Sequence, residues 1–338
     1  MDSPPVLRYI IAGQLFRDYI ITPNGKPYID VLGGGLPYAA AGAAVWEAGT
    51  GLIARIGEDF PQEWLAQIDR AGFDCQGVRI LPQSIDLRSF TAFTDTETRH
   101  SDSPVAHFAR LNLPFPKSLL GYTPQPKQPD SRSQPTIHTI RMTEIPSSYL
   151  DATAAHLCPI DFLSHTLLPS ILRQGQVTSI TIDPAASYMN PIFWDDVQVL
   201  VKGITGMLAS EEKLRGLFEG RSSDLWEMAE TVGSWGCEIV VIKRRGRGQY
   251  VYDQTSRRRW MIPAYPGRVI DPTGGGDAFC GGFLAGYRST YEPLEAALHG
   301  NISASLIIEG SGAFYALDAL PGLAKARLEG LRGMARRA

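Results

Sequence analysis

The stretch from Arg268 to Gly286 constrains this chain more than any other. An apolar lead-in, Arg268-Val269-Ile270, passes through Asp271-Pro272-Thr273 into Gly274-Gly275-Gly276, then into Asp277-Ala278-Phe279-Cys280-Gly281-Gly282-Phe283-Leu284-Ala285-Gly286. That order predicts strand, tight turn, helix. Glycines turn without a Cβ clash, so successive N–H groups can point into one spot, and the helix that follows adds its unpaired donors and the positive end of its dipole. Such a loop is an anion hole. Asp277 stands at its mouth, where a carboxylate is favoured as the ion and can accept the proton of a hydroxyl attacking a phosphoryl group. The same residues also allow a plainer reading, with Asp277 as a helix cap and the glycines as a turn. Spacing excludes other phosphate loops: there is no G-x-x-x-x-G-K-[ST], and Phe279 stands where a dinucleotide fingerprint needs glycine or alanine.

The run Asp271 to Asp277, followed by Ala-Phe-Cys-Gly-Gly-Phe, resembles the C-terminal signature of the PfkB (ribokinase-like) carbohydrate kinases, usually D-T-x-G-A-G-D; Pro272 and Gly275 depart from it. The resemblance implies that Asp277 is the catalytic base and that the amides of Gly274, Gly275 and Gly276 hold the transferring phosphoryl group. It also implies ATP and Mg²⁺ as cofactors. A potassium ion is expected beside the loop, at Asp271 and Thr273, with carbonyls from the stretch Ile308 to Gly312. The implied fold is α/β: a doubly wound, mostly parallel sheet flanked by helices, with a small β-lid, all in one domain spanning 1–338.

Other segments fit that frame. The apolar run Val6 to Ala12 ends at Gly13, as a buried first strand does. Asp18 follows, at the position where the family receives sugar hydroxyls, and residues 14–31 and 85–100 are expected to build the lid. Gly33-Gly34-Gly35 leads into a dense alanine segment, Ala39 to Ala48, that predicts a closely packed helix. This resembles the family's G-G-x-x-x-N-x-A motif, which makes Gly34, Gly35 and Tyr38 substrate-binding candidates. Tyr38 stands where asparagine is usual, exchanging a two-handed amide for one hydroxyl and a ring, so ribose is expected to be a poor substrate. Within the lid, Arg88 and Arg99 either face a substrate anion or lie on a solvated strand face. Asp59 and Pro61 are helix-start residues, with Trp64, Leu65 and Ile68 on the apolar side of the helix and Gly72 as its stop.

Residues 101–148 are rich in proline, with a polar patch from Gln125 to Gln134, and predict an insertion or surface loop. Beyond it, Val177 to Asp183, Val197 to Val201 and Glu238 to Lys243 read as strands, and a helix begins in Leu208 to Leu214. In the family this last place reads L-P-N-x-x-E and organises magnesium. Here Ser210 and Lys213 occupy the two polar positions, leaving Glu211 or Glu212 to supply an acid. Lys243 and Arg245 fall at the turn where the family touches nucleotide phosphates; Ser210, Glu212 and Asn301 complete the nucleotide-binding candidates.

Composition bounds the remaining possibilities. A net charge of −3 gives no global attraction to nucleic acid or an anionic membrane, so a small molecule is the default partner. Four dispersed cysteines, Cys75, Cys158, Cys237 and Cys280, without a C-x-x-C suit a reducing cytoplasm and argue against a zinc or disulfide scaffold. The leading expectation is ATP-dependent phosphorylation of a sugar-like hydroxyl in a cytoplasmic protein, with a homodimer through the lid. Two alternatives stand beside it: a nucleoside kinase of the same family, and a nucleotide-binding regulatory protein that has lost turnover.

Overall fold

The structure is a computed structural model that describes residues 7–124 and 130–338; Met1 to Val6 and Gln125 to Pro129 lie outside the described residues. Thus Val6 of the expected first strand and half of the polar patch are not covered. The N-terminal half runs β1 (Tyr9–Ala12), β2 (Phe16–Ile21), β3 (Pro27–Gly33), α1 (Gly35–Ala44), β4 (Thr50–Gly57), α2 (Gln62–Arg70), β5 (Asp74–Leu81), β6 (Arg88–Phe93), β7 (Arg99–His100) and α3 (Pro104–Arg110). It continues through β8 (Ala154–Leu157), α4 (Phe162–Leu172), β9 (Ser179–Ile182), α5 (Trp194–Leu200), β10 (Gly206–Ser210), α6 (Glu211–Leu217), α7 (Leu225–Ser234) and β11 (Ile239–Lys243). The last part holds β12 (Gln249–Asp253), β13 (Arg258–Ile262), α8 (Gly275–Thr290), α9 (Pro293–Ile307), α10 (Leu323–Arg332) and β14 (Arg336–Arg337).

Ten strands form the main sheet in the order β14-β13-β12-β11-β10-β9-β8-β1-β4-β5. From β11 to β5 all neighbours are parallel, and β12, β13 and β14 add an antiparallel edge. Parallel strands covered on both faces read as continuous apolar runs, as β1 and the Ile-Val-Val-Ile of β11 do. Alternate side chains then go to opposite cores. Ile10, Ala12, Val240 and Ile242 pack with α4 to α7, while Tyr9 and Ile11 join α1 and α2, and Ile239 and Val241 join α8 to α10. The chain leaves β1 in one direction for β4 and β5 and returns on the other side with β8, so the strand order reverses beside β1. Open α/β sheets bind ligands at such a reversal, outside the carboxyl ends of the strands.

A separate four-stranded sheet, β3-β2-β6-β7, forms the lid. Its outer face is apolar: Tyr19, Ile21, Phe90 and Ala92 pack under Phe108 of α3 and Leu119. Residues 101–148 therefore contribute to packing, and Ile140 with the nearby Tyr149 belongs to the main core.

Four expected elements are corrected. Val197 to Val201 is not a strand; buried Val197, Leu200 and Val201 beside exposed Val199 follow helical period, and the segment lies in α5 and its C-terminal cap. Arg268 to Ile270 is not a strand either, because no sheet neighbour is available: the N–H groups of Ile270 and Asp271 both donate to Ile308 O at the end of α9. Leu208 to Ser210 finishes β10, and the helix starts only at Glu211 because the Ser210 side chain caps it. Helix α1 starts four residues earlier than Ala39 and ends at Ala44, since Pro37 is tolerated in a first turn and Gly34 provides the break at φ +90°.

Candidate active site

Two helices meet at the strand reversal. Helix α8 begins after Gly274, a left-handed residue at φ +73°, and α1 begins after Gly34. They lie backbone against backbone: a Cβ on Gly42 would stand 2.1 Å from Ala278 O, and one on Gly281 would stand 1.8 Å from Ala39 O. Only glycine permits that approach. It brings the two N-termini together, so that a Cβ on Gly35 would be 2.8 Å from Asp277 Oδ1. The Gly275 N–H makes a long 3.3 Å turn bond to Pro272 O, whereas the Gly274, Gly276 and Asp277 N–H groups make no turn or loop bond among the described residues. These are the unpaired donors of a helix start.

The lid supplies the next wall. Asp18, which lies within β2 and not at the end of β1, is buried and accepts from Gly34 N–H at 3.3 Å. Gly33 must be glycine, because a Cβ there would overlap the Asp18 carboxylate. Burial pushes the Asp18 carboxyl up to about 7, with Asp271 and Asp277 adding repulsion against the donors of Gly34 and Ser89. Burial also raises Asp277; Lys243 opposes the shift and Asp183 adds to it. A carboxylate held above its usual range is a stronger proton acceptor. Tyr38 is buried with its ring pressed on Gly274 and its hydroxyl without a hydrogen-bond partner.

Sequence reasoning missed a charged triad behind the loop. Asp183, at the end of β9, is buried between Lys213 and Lys243, with both Nζ–O distances 2.6 Å. Burial opposes its ionisation, but the two lysines outweigh that and hold it at about 2. Lys243 also donates to Gly276 O at 3.2 Å, tying the triad to the glycine loop. The departure at Lys213 was visible in the sequence; its partner was not, because Asp183 read only as a strand end before Pro184.

The remaining candidates divide. Ser210 caps α6. Glu212 pairs with Arg245 at 2.5 Å, and Glu211 pairs with Arg215, Arg244 and Arg247. Arg245 also donates to Glu97 O in the lid turn, and Gly246 N–H donates to Glu97 Oε1 at 3.3 Å. Asn301 is committed within the fold: its amide donates to Gln249 Oε1 and Pro263 O and its oxygen accepts from Tyr265 N–H. Arg88 is fastened to Asp86 and to the Ser118 and Leu120 carbonyls, away from the site, whereas the charge of Arg99 acts on Asp277. Asp271 Oδ2, Thr273 Oγ1 and Ser311 Oγ are buried without partners.

Comparison with known proteins gives these positions a setting. Residues 157–320 match the model of the pfkB family carbohydrate kinases. A cytidine kinase of Thermococcus kodakarensis is 30% identical over 291 residues, covering 86% of this chain and 91% of its own. Solved structures with the same fold include a ribokinase II of E. coli in complex with ATP and Mg²⁺ (TM-score 0.69, 15% identity, 96% of this chain and 99% of that one). A nucleoside kinase of Burkholderia thailandensis in complex with inosine is similar to the same degree (TM-score 0.68, 19% identity, 96% and 99%). With the family model matched and a relative 30% identical over most of both chains, the chain belongs to the PfkB family of carbohydrate kinases, as an α/β enzyme of sugar or nucleoside phosphorylation.

Proposed function

We propose that this kinase transfers the γ-phosphoryl group of ATP to a hydroxyl of a nucleoside, with Asp277 as general base. The observation that carries the reading is the convergence of Asp277, Gly35 and Asp18 at the paired starts of α1 and α8. The acceptor sugar lies between Asp18 and Asp277. Asp18, once ionised, accepts from its hydroxyls and fixes which one approaches Asp277. Asp277 takes the proton as the oxygen attacks in line, and the free amides at the start of α8 receive the negative charge of the phosphoryl oxygens. The cytidine kinase relative favours a nucleoside over a free sugar. Tyr38 does not separate the two, since a ribonucleoside carries the same vicinal hydroxyls as free ribose.

Mg²⁺ accompanies ATP in the E. coli structure. In this chain Lys213 occupies the family's glutamate position, Glu211 and Glu212 are bound by arginines, and Asp183 is bound by two lysines. These residues do not fit a magnesium ion held there by the protein. A potassium ion has a better donor set in the orphaned oxygens of Asp271, Thr273 and Ser311, where it would neutralise Asp271 beside the glycine loop. Rates in potassium and in a bulky organic cation test it, equal rates removing potassium from the reading.

The decisive variant is Asp277→Asn. General-base catalysis contributes roughly 10²–10⁴-fold, so kcat falls by that factor while nucleotide affinity persists, because the amides remain. Activity within a few-fold of wild type would reduce Asp277 to a cap. A panel of nucleosides and ribose, compared by kcat/KM in wild type and Tyr38→Asn, tests the acceptor. Ribose leading the wild-type panel overturns the nucleoside assignment, and an unchanged ranking in the variant removes Tyr38 from the acceptor pocket.

A further inference from the structure

The lid carries a second group of chemistry-bearing side chains, on the face away from Asp18. His100 lies opposite Ala92 in the β6–β7 pairing, and Ala92 lies opposite Ile21, which puts His100 on the apolar outer face of the sheet under α3. The chain then turns through Asp102 and the left-handed Ser103, at φ +51°, and α3 brings His107 back over the same face. One ligand atom from each of His100, Asp102 and His107 lies within 4.8 Å of the others. The two imidazole rings stand 5.3 Å apart at their centroids, and His107 also packs on Phe90 at 5.8 Å.

Commitment of donors separates this cluster from the other polar groups of the lid. Asp30 is taken by Arg17, Asp86 by Arg88, and Asp95 by the N–H groups of Glu97 and Thr98. Among the described residues none of the side chains of His100, Asp102 and His107 enters a hydrogen bond or ion pair. Two imidazoles and a carboxylate are the donors of a zinc-type ion, whereas Mg²⁺ and Ca²⁺ take all-oxygen sets. Ligands at ~2.0–2.1 Å from a tetrahedral ion are roughly 3.3 Å apart. The ligand atoms, within 4.8 Å of one another, thus close by up to about 1.5 Å around it, a shift that part-exposed rotamers allow.

We propose that His100, Asp102 and His107 bind a late first-row divalent cation, zinc above all, on the outer face of the lid. The ion joins β7 to α3. Strand β7 is a two-residue edge held by two paired positions, Ala92–His100 and Phe93–Arg99, and it carries Arg99, whose charge acts on Asp277. Clamping His100 therefore fixes the edge strand that carries Arg99. The ion is a positioning element and touches no substrate.

The test uses full-length protein without an affinity tag, stripped by chelator and titrated with ZnCl₂ by calorimetry. One equivalent is expected. Loss of even an outer partner of a ligand costs roughly 10–100-fold in affinity, so His100→Gln and His107→Gln each weaken binding by at least about tenfold. Co²⁺ should give one-equivalent visible absorption bands in the wild type and none in His107→Gln. Amide exchange across residues 94–108 slows on zinc addition in the wild type only. Both variants keep the metal-free melting temperature, which shows that they fold. Unchanged zinc affinity in both variants, displacement of zinc by equimolar Mg²⁺, or binding that leaves exchange in 94–108 untouched overturns the assignment.

Discussion

At the scale of single residues, Asp18 is the group whose chemistry the fold alters in a measurable way. Its folded pKa, about 7, lies above the 3.8 of a free aspartate because the carboxylate is buried beside Asp271 and Asp277. Below both values the carboxyl is protonated in folded and unfolded chains alike, and stability is unaffected. Between them the folded state retains a proton that the unfolded state has lost, so stability falls as pH rises from about 4 to about 7. At full ionisation the penalty is on the order of 4 kcal/mol. Asp18→Asn should therefore unfold at higher urea than wild type at pH 8, and the gap should close at pH 4; a gap independent of pH would show that Asp18 does not titrate in this window. Binding of the acceptor should strengthen over the same window, because only the ionised carboxylate accepts from two hydroxyls. The sequence made Asp18, Asp277 and the glycines legible through their motifs. It could not reveal the Asp183–Lys213–Lys243 triad, since two members sit at the ends of β9 and β11 and the third in the first turn of α6, brought together only by sheet order.

At the scale of elements, the pairing of α1 with α8 carries the site. Both helices are dense in glycine and alanine, which alone predicts close packing; the register, in which Gly281 faces Ala39 O and Gly42 faces Ala278 O, depends on tertiary geometry. Gly281→Ala puts a methyl against a backbone oxygen that cannot swing aside. Overpacking of this kind costs typically ~1–3 kcal/mol or more. The expected result is a lower urea midpoint together with a reduced kcat, because the shift separates Gly35 from Asp277. The surface substitution Gly330→Ala, with open space around its Cβ, should do neither. A loss confined to stability would mean that the two helix starts need no fixed spacing. The buried strands were readable as apolar runs. Val197 to Val201 was not, because five apolar-rich residues fit either period until the neighbours are known.

At the scale of the whole molecule, the lid and the turn after β11 are fastened to each other. Glu97, in the turn before β7, is gripped by Arg245 and by Gly246 N–H, and Arg245 is itself held by Glu212. The sequence marked Arg245 for phosphate, and nothing local joins positions 148 residues apart. Arg245→Ala should expose the 94–98 turn to limited proteolysis faster than in wild type, and an unchanged cleavage rate would show that the contact does not hold the lid. The clasp also bears on the fate of ATP when no acceptor is bound. Water is a competing nucleophile, present at far higher concentration than any nucleoside. On the proposed reading, the clasp helps to keep water from the glycine loop, and its release opens the terminal phosphate to bulk solvent. Wasteful ATP hydrolysis should therefore rise relative to productive transfer in Arg245→Ala.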